Sequence, residues 1–289
     1  MKIESRNLQK INETFQRLMR IKMGLLGFIL ILFFTFISLS APLLSPHDPY
    51  KFGTRDEVLR PPNSEHPLGT DDVARDVWSQ LLYGSRVSMI IGLVSAAIST
   101  LIGATIGLIS GYSGGSIDEL IMRIVDIIMV IPGLPIMIVL AAILGPSIWN
   151  IMIVIGVLGW TGTSRIVRSQ VLSIKERPYV EAARCIGASF PAIVFFEVLP
   201  NVVPIIFAQT MMGISNAIYS EATLSFLGLG DPTHLSWGMM LHFAFQSGNM
   251  STAWWWVIPP GVTIALLVLG FTFFGSALNE ALNPRYRER

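Results

Sequence analysis

The chain has 289 residues, of which 52% are hydrophobic and only 13% charged, whereas soluble domains carry about 25% charged residues. With a mean hydropathy of +0.60, this excludes an ordinary soluble globular domain and indicates an integral membrane protein. The 20 basic and 19 acidic residues nearly cancel to a net charge of +1, and the single Cys185 excludes an intramolecular disulfide and any multi-cysteine metal site.

Residues 1–22 carry Lys2, Arg6, Lys10, Arg17, Arg20 and Lys22. This basic leader is long and the apolar run behind it exceeds a signal-peptide core, so no cleavable signal is expected. Met23 to Ala41 is free of charge and spans roughly 28 Å as a helix, about one hydrocarbon core. Pro42 is expected to end it. Residues 42–86 form a long loop. Val87 to Ile117 is a second uncharged run, in which Ser95, Ser99, Gly103, Gly107 and Gly111 recur every four residues. On a helix that spacing makes a strip of small side chains, suited either to close helix packing or to the wall of a substrate path.

The third apolar run, Ile127 to Ser164, is too long for one span and is split by "LGPSIWN" at Leu144 to Asn150, with Gly145-Pro146 as the turn. Its opening places Arg123 and Asp126 three residues apart, where they can pair on one helix face. It then breaks at "IPGLP", where Pro132 and Pro135 bend the helix and free backbone carbonyls. Val198 to Ser220 and Trp254 to Asn279 supply two further spans, the last entered through the interfacial aromatics Trp254, Trp255 and Trp256. The expected fold is therefore an all-α polytopic membrane protein with six transmembrane helices. If residues 1–22, Arg123, loop four-five and the tail at 277–289 all face the cytoplasm, 15 of the 20 basic residues fall on that side. Both termini are thus expected to be cytoplasmic, and residues 42–86 external.

Loop four-five holds "SIKERPYVEAARCIGASFPAIVFFEVLP", residues 173–200. Pro178 suits a first helical turn, Gly187 a C-terminal stop, and Ser189 with Pro191 a second start. The shape expected is helix, glycine turn, helix. Tyr179, Ala182, Ala183 and Ile186 share one face at helical spacing, with Glu181 and Arg184 on another. Small alanines would anchor poorly in lipid, so a groove on a protein partner is the better match.

These residues carry a resemblance. "EAARCIGA" followed by "LPN" at Leu199 to Asn201 is similar to the EAA loop of permease subunits of binding-protein-dependent ABC importers. "HPLGTDDVARDVWSQLLYGSRVSMIIG" at His66 to Gly92, "EATLSFLGLG" at Glu221 to Gly230, "SWGMML" at Ser236 to Leu241 and "LNPRYR" at Leu282 to Arg287 resemble the oligopeptide/dipeptide/nickel branch, over roughly residues 20–287. In that branch a glycine commonly stands where this chain has Ala74. The general motif has an aliphatic residue where this chain has Glu197, and Val198 can take the apolar role through a shift of one.

The resemblance implies a type I importer permease fold, with a core domain at 87–276 holding five spans and a cytoplasmic coupling loop at 169–197. It implies that Tyr179, Glu181, Ala182, Ala183, Arg184, Gly187 and Ala188 form the helix that seats in an ATPase subunit. The implied partners are a homologous second permease, two ATP-binding subunits, an extracellular or periplasmic solute-binding protein and the lipid of a prokaryotic cell membrane, with no nucleic acid. ATP and Mg²⁺ would be bound by the ATPase subunits, because this chain has no GxxxxGK[ST] phosphate loop and is not expected to be an enzyme itself.

Peptides are the expected cargo, and nickel or another small solute is the alternative. If nickel were the cargo, His234 and His242 would be the imidazoles to consider. The histidines His47, His66, His234 and His242 read as scattered loop residues. Candidates for the path or gate are Asp126, Pro132, Pro135 and Glu221. Glu221 is placed to meet a peptide amine or to hold the "LSFLGLG" turn. An ATP-independent secondary transporter or channel is the rival class; it needs ionisable groups near the midplane and has no use for a docking insert.

Overall fold

A computed structural model describes residues 16–282, and within them the fold is helical. The basic residues at 2, 6, 10, 285, 287 and 289, and the "LNPRYR" motif beyond Leu282, lie outside the described residues. Five helices are long and apolar enough to cross a membrane, and a sixth span is counted when one bent pair is taken together.

The first span, α1, is Lys22–Leu44. It passes through Pro42 instead of stopping there, and the Ser45 amide closes its last turn on the Ala41 carbonyl at 3.0 Å. A proline removes only its own donor and crowds one carbonyl, which a helix near its end survives. The central helix α2 is Val77–Ser113. It starts ten residues before the uncharged run because Asp76 caps it, accepting from the Ser79 amide. The polar residues between 77 and 86 resemble a loop in sequence, yet Ser79, Gln80 and Ser85 are all buried.

Next come α3, Gly115–Val130, and α4, Gly133–Leu144, bent by 83° at the Ile131-Pro132 break. Helices α5, Ile148–Leu158, and α6, Trp160–Lys175, join at Gly159 into one span. The loop insert contains α7, Pro178–Cys185, and α8, Phe190–Ile193. A π turn at Val194–Val198 then leads into α9, Leu199–Phe226, so helix is continuous from Phe190 to Phe226. The short α10, Trp237–Gln246, and the last span, α11, Trp254–Leu282, complete the chain.

Packing centres on α2. Its most extensive contact is with α6, and it also meets α9, α5 and α1. One core cluster, with Phe34, Trp237, Trp256, Leu267 and Phe271, joins α1, α2, α9, α10 and α11. Where α1 crosses α11, a Cβ on Gly27 would lie 2.6 Å from the Gly270 carbonyl, so only glycine permits that approach. The outward faces stay apolar: Leu43 is 88% and Ile143 73% exposed, as surfaces made for lipid should be.

The loop between α1 and α2 is ordered by Asp71, which is fully buried. Its carboxylate accepts from the Val73 and Arg75 amides, the Arg75 guanidinium and the Gln80 amide. Thr54 and Glu57 form a reciprocal cap. The Thr54 amide, then its hydroxyl, hold the Glu57 carboxyl below its ordinary value. Ala74 sits in this turn at φ +61°, the left-handed region that costs an L residue about 1–2 kcal/mol. That is the physical reason for a glycine at this place in the branch the sequence resembles. Ala74→Gly is expected to stabilise the chain by about 1 kcal/mol, read as a higher unfolding midpoint in detergent. A lower midpoint would mean that the buried methyl outweighs the strain.

Candidate functional site

Two features stand out: the loop insert at 176–198 and a groove among α2, α4, α5, α6 and α9. In the insert, Pro178 occupies the first turn of α7, where its missing N–H is no loss. Gly187 ends the helix at φ +82°, with the Gly187 and Ala188 amides donating to the Arg184 and Ala183 carbonyls. Ser189 stands at the start of α8 but makes no side-chain cap.

The inward face of α7 differs from the one its spacing suggested. Val180 is fully buried and packs with Val167, Val171, Ile174, Ile193, Val198 and Val202, while Ala183 and Ala188 pack at the margin. Tyr179, Glu181, Ala182, Arg184, Cys185, Ile186 and Gly187 are exposed. The proposed single face of Tyr179, Ala182, Ala183 and Ile186 is therefore split: Ala183 turns towards the protein and the other three face outward. Ile186 is 86% exposed, which leaves a small apolar surface without an internal partner. Arg184 lies 5.2 Å over the Tyr112 ring and donates to its hydroxyl at 3.3 Å, tying the insert to the end of α2.

A π turn accommodates one extra residue in a helix. Here it turns Val198 fully into the core, while Glu197 stays at the margin with its carbonyl accepting from the Asn201 side chain. The shift of one is thus a backbone event.

Ion pairs stiffen this end of the molecule. Arg168 on α6 grips Asp118 on α3 with two bonds of 2.5 Å, and Ser110 on α2 donates to the same carboxylate. Neither partner stood out in sequence, since they lie 50 residues apart. Asp126 pairs with Arg165 on α6 and not with Arg123, a correction to the expected pair on one helix. Both members are about half exposed, so the pair contributes little to stability.

Glu221 is 1% exposed. It accepts from Ser225 at 2.8 Å and Ser88 at 3.2 Å, and the Ser88 hydroxyl oxygen in turn accepts from the Trp237 amide at 3.4 Å. Gly238 lies so close to α9 that a Cβ would sit 2.7 Å from the Ala222 carbonyl. The "EATLSFLGLG" and "SWGMML" motifs are thus two halves of one packed corner. His242 closes the same corner on the Phe226 carbonyl, and His234 pairs with Asp231 nearby.

The groove has a volume of about 360 Å³. Ser95 and Ser99 from α2, Thr163 from α6, and Gln209, Asn216 and Ser220 from α9 provide its polar wall. The Ser95 hydroxyl is buried without a hydrogen-bond partner among the described residues. The small-residue strip divides: Ser95 and Ser99 line the groove, whereas Gly103, Gly107 and Gly111 press against α6. A Cβ on Gly103 or Gly107 would stand 2.6 Å from a backbone carbonyl of α6. None of Asp126, Pro132, Pro135 and Glu221 lines the groove. Gln209, Asn216 and Ser220 were missed, although their spacing puts them on one face of α9.

Residues 103–288 match the family described as binding-protein-dependent transport system inner membrane component. Residues 11–62 match the N-terminal transmembrane domain of oligopeptide transport permease C. The dipeptide transport system permease protein DppC of Bacillus subtilis is 36% identical over 282 residues, covering 97% of this chain and 88% of its own. DppC of Haemophilus influenzae is 39% identical over 272 residues, covering 92% and 91%. The oligopeptide transport system permease protein OppC of Bacillus subtilis is 34% identical over 288 residues, covering 99% and 93%.

Proposed function

The chain belongs to the family of binding-protein-dependent transport system inner membrane components, and on that premise we propose that it forms half of the translocation path of an ATP-driven peptide importer. It is a multi-pass protein of the bacterial cytoplasmic membrane. In this reading a homologous permease completes the path. Two ATPase subunits, which hold ATP and Mg²⁺, dock on α7 from the cytoplasm, and a solute-binding protein delivers cargo from outside. The positive-inside distribution supports that orientation.

The continuity of helix from Phe190 to Phe226 carries this reading. One end is packed into the insert through Ile193 and Val198; the middle presents Gln209 and Asn216 to the groove. The α6 helix makes the same connection, from Thr163 at the groove to Ile174 beneath α7. A displacement of the insert is therefore transmitted along two continuous helical stretches to both walls of the path. Such a path has two discrete states, biased by ATP at one end and loaded binding protein at the other.

The groove wall favours peptide over the alternatives. Among the described residues its lining has no His, Cys, Asp or Glu, the groups that would hold nickel or couple an ion gradient. Hydroxyls and amides both donate and accept, which suits a peptide backbone whatever its side chains. Joint replacement of Gln209 and Asn216 by leucine is expected to lower peptide uptake about thirtyfold in proteoliposomes carrying the whole complex, from roughly 1 kcal/mol for each of the two lost polar contacts. Basal ATPase should persist. Unaltered uptake would show that cargo passes elsewhere.

A further inference from the structure

The loop between α1 and α2 gathers a second set of donor groups, far along the chain from the groove residues and outside the transport reading above. His47 and His66, which look scattered in sequence, have ring centroids 4.8 Å apart. The His47 amide donates to the Ser79 hydroxyl at 3.3 Å, and its ring Nε2 meets the Glu65 carbonyl at 3.1 Å. His66 is 7% exposed and its Nδ1 lies 2.9 Å from Asp76 Oδ1. The other Asp76 oxygen is committed to α2, accepting from the Ser79 amide at 2.7 Å and hydroxyl at 2.6 Å. An ionised carboxylate only accepts, so in the neutral imidazole the proton is fixed on Nδ1 and Nε2 keeps its lone pair. A carboxylate behind a histidine in this way is the usual outer support of a metal ligand.

Carboxylates converge on the same ring. One donor atom from each of Glu57, Glu65 and His66 lies within 4.8 Å of the other two, and the same holds for His47, His66 and Asp76. Glu57 Oε2 is held by the Thr54 amide at 2.8 Å, leaving Oε1 uncommitted by that bond. All these side chains border a cavity of about 370 Å³. A tetrahedral Zn²⁺ with bonds of about 2.1 Å holds its ligands roughly 3.4 Å apart, so side-chain rotation must draw the set in. One imidazole with two carboxylates suits a borderline ion of the zinc class with a fourth position left for water; Ca²⁺ and Mg²⁺ prefer all-oxygen shells.

We propose that this loop binds one divalent ion of the zinc class through His66, Glu57 and Glu65, with Asp76 orienting His66 and His47 stacked beside it. The ion ties two separate stretches of the loop, at Glu57 and at Glu65 with His66, to the capped start of α2 through Asp76. Lys51 also borders the cavity, and its charge opposes the ion.

The test uses the full chain in its assembled complex, purified without a polyhistidine tag and titrated calorimetrically with ZnCl₂. One Zn²⁺ per chain should bind. Glu57→Gln with Glu65→Gln should weaken it at least about tenfold, Lys51→Ala should tighten it, and His234→Ala should leave it unchanged. The wild-type protein gives a second readout that needs no variant: Co²⁺ should produce visible ligand-field bands that Zn²⁺ abolishes. Absence of saturable binding, survival of full affinity in the double variant, or a Co²⁺ spectrum matching the free ion would each overturn the site.

Discussion

Replacing Ala182 with tryptophan is expected to lower substrate-stimulated ATP hydrolysis by the assembled complex about tenfold or more, with normal amounts of chain in the membrane. Ala182 is exposed on α7, so the fold should shift by no more than about 0.5 kcal/mol. On the proposed docking surface, however, an indole must displace partner atoms that approach a methyl group. Each 1.4 kcal/mol of lost docking is about tenfold in affinity. Gly187 is a second probe with a different mechanism. Nothing lies within 4 Å of a Cβ there, but its φ of +82° penalises any L residue, so Gly187→Leu acts by reshaping the turn. Cys185, the chain's single cysteine and exposed, reports on the same surface without mutation. Its alkylation should slow when ATPase subunits are bound. Wild-type coupling in Ala182→Trp together with unprotected Cys185 would remove the docking role from α7.

Gly107→Leu is expected to have the largest effect on folding. A Cβ at Gly107 would lie 2.6 Å from the Ser164 carbonyl and 2.8 Å from Val167 Cβ, with backbone as the obstacle. The two helices must separate, which costs about 1–3 kcal/mol for overpacking and also strips contacts from Val167 and Val171 beneath the insert. The Arg168–Asp118 clamp one turn further along α6, which reaches α2 through Ser110, resists that separation, so strain should pass to the insert. The measurement is the unfolding midpoint in detergent, with Gly261→Ala as control, since nothing lies within 4 Å of a Cβ there. An equal midpoint in both variants would show that α2 and α6 slide apart freely.

Most of the span plan was legible from the sequence, because a bilayer leaves few choices: a long uncharged run must be a helix that satisfies its own backbone. The Gly145-Pro146 turn and the helix, glycine turn, helix form of the insert were equally local matters, written in proline, glycine and small residues. Ends were less legible. Pro42 did not stop α1, and α2 began at Val77, where burial of Ser79, Gln80 and Ser85, with Gln80 bonded to Asp71, made a polar stretch part of the core.

Pairings between distant residues were not legible at all. Asp126 chose Arg165 over its helical neighbour Arg123, and Asp118 met Arg168 across 50 residues, because charge periodicity describes one helix and not which helix comes alongside. The same holds for the strip of small residues on α2. Its spacing fixed a face; only the placement of α6 and α9 divided that face into a groove wall at Ser95 and Ser99 and a packing seam at Gly103, Gly107 and Gly111. Sequence alone thus determined which segments cross the membrane, because hydration of the backbone is decided segment by segment. Which polar groups share a cavity was decided by tertiary structure, since it depends on helix rotation and on which helices come alongside, neither of which a local pattern records.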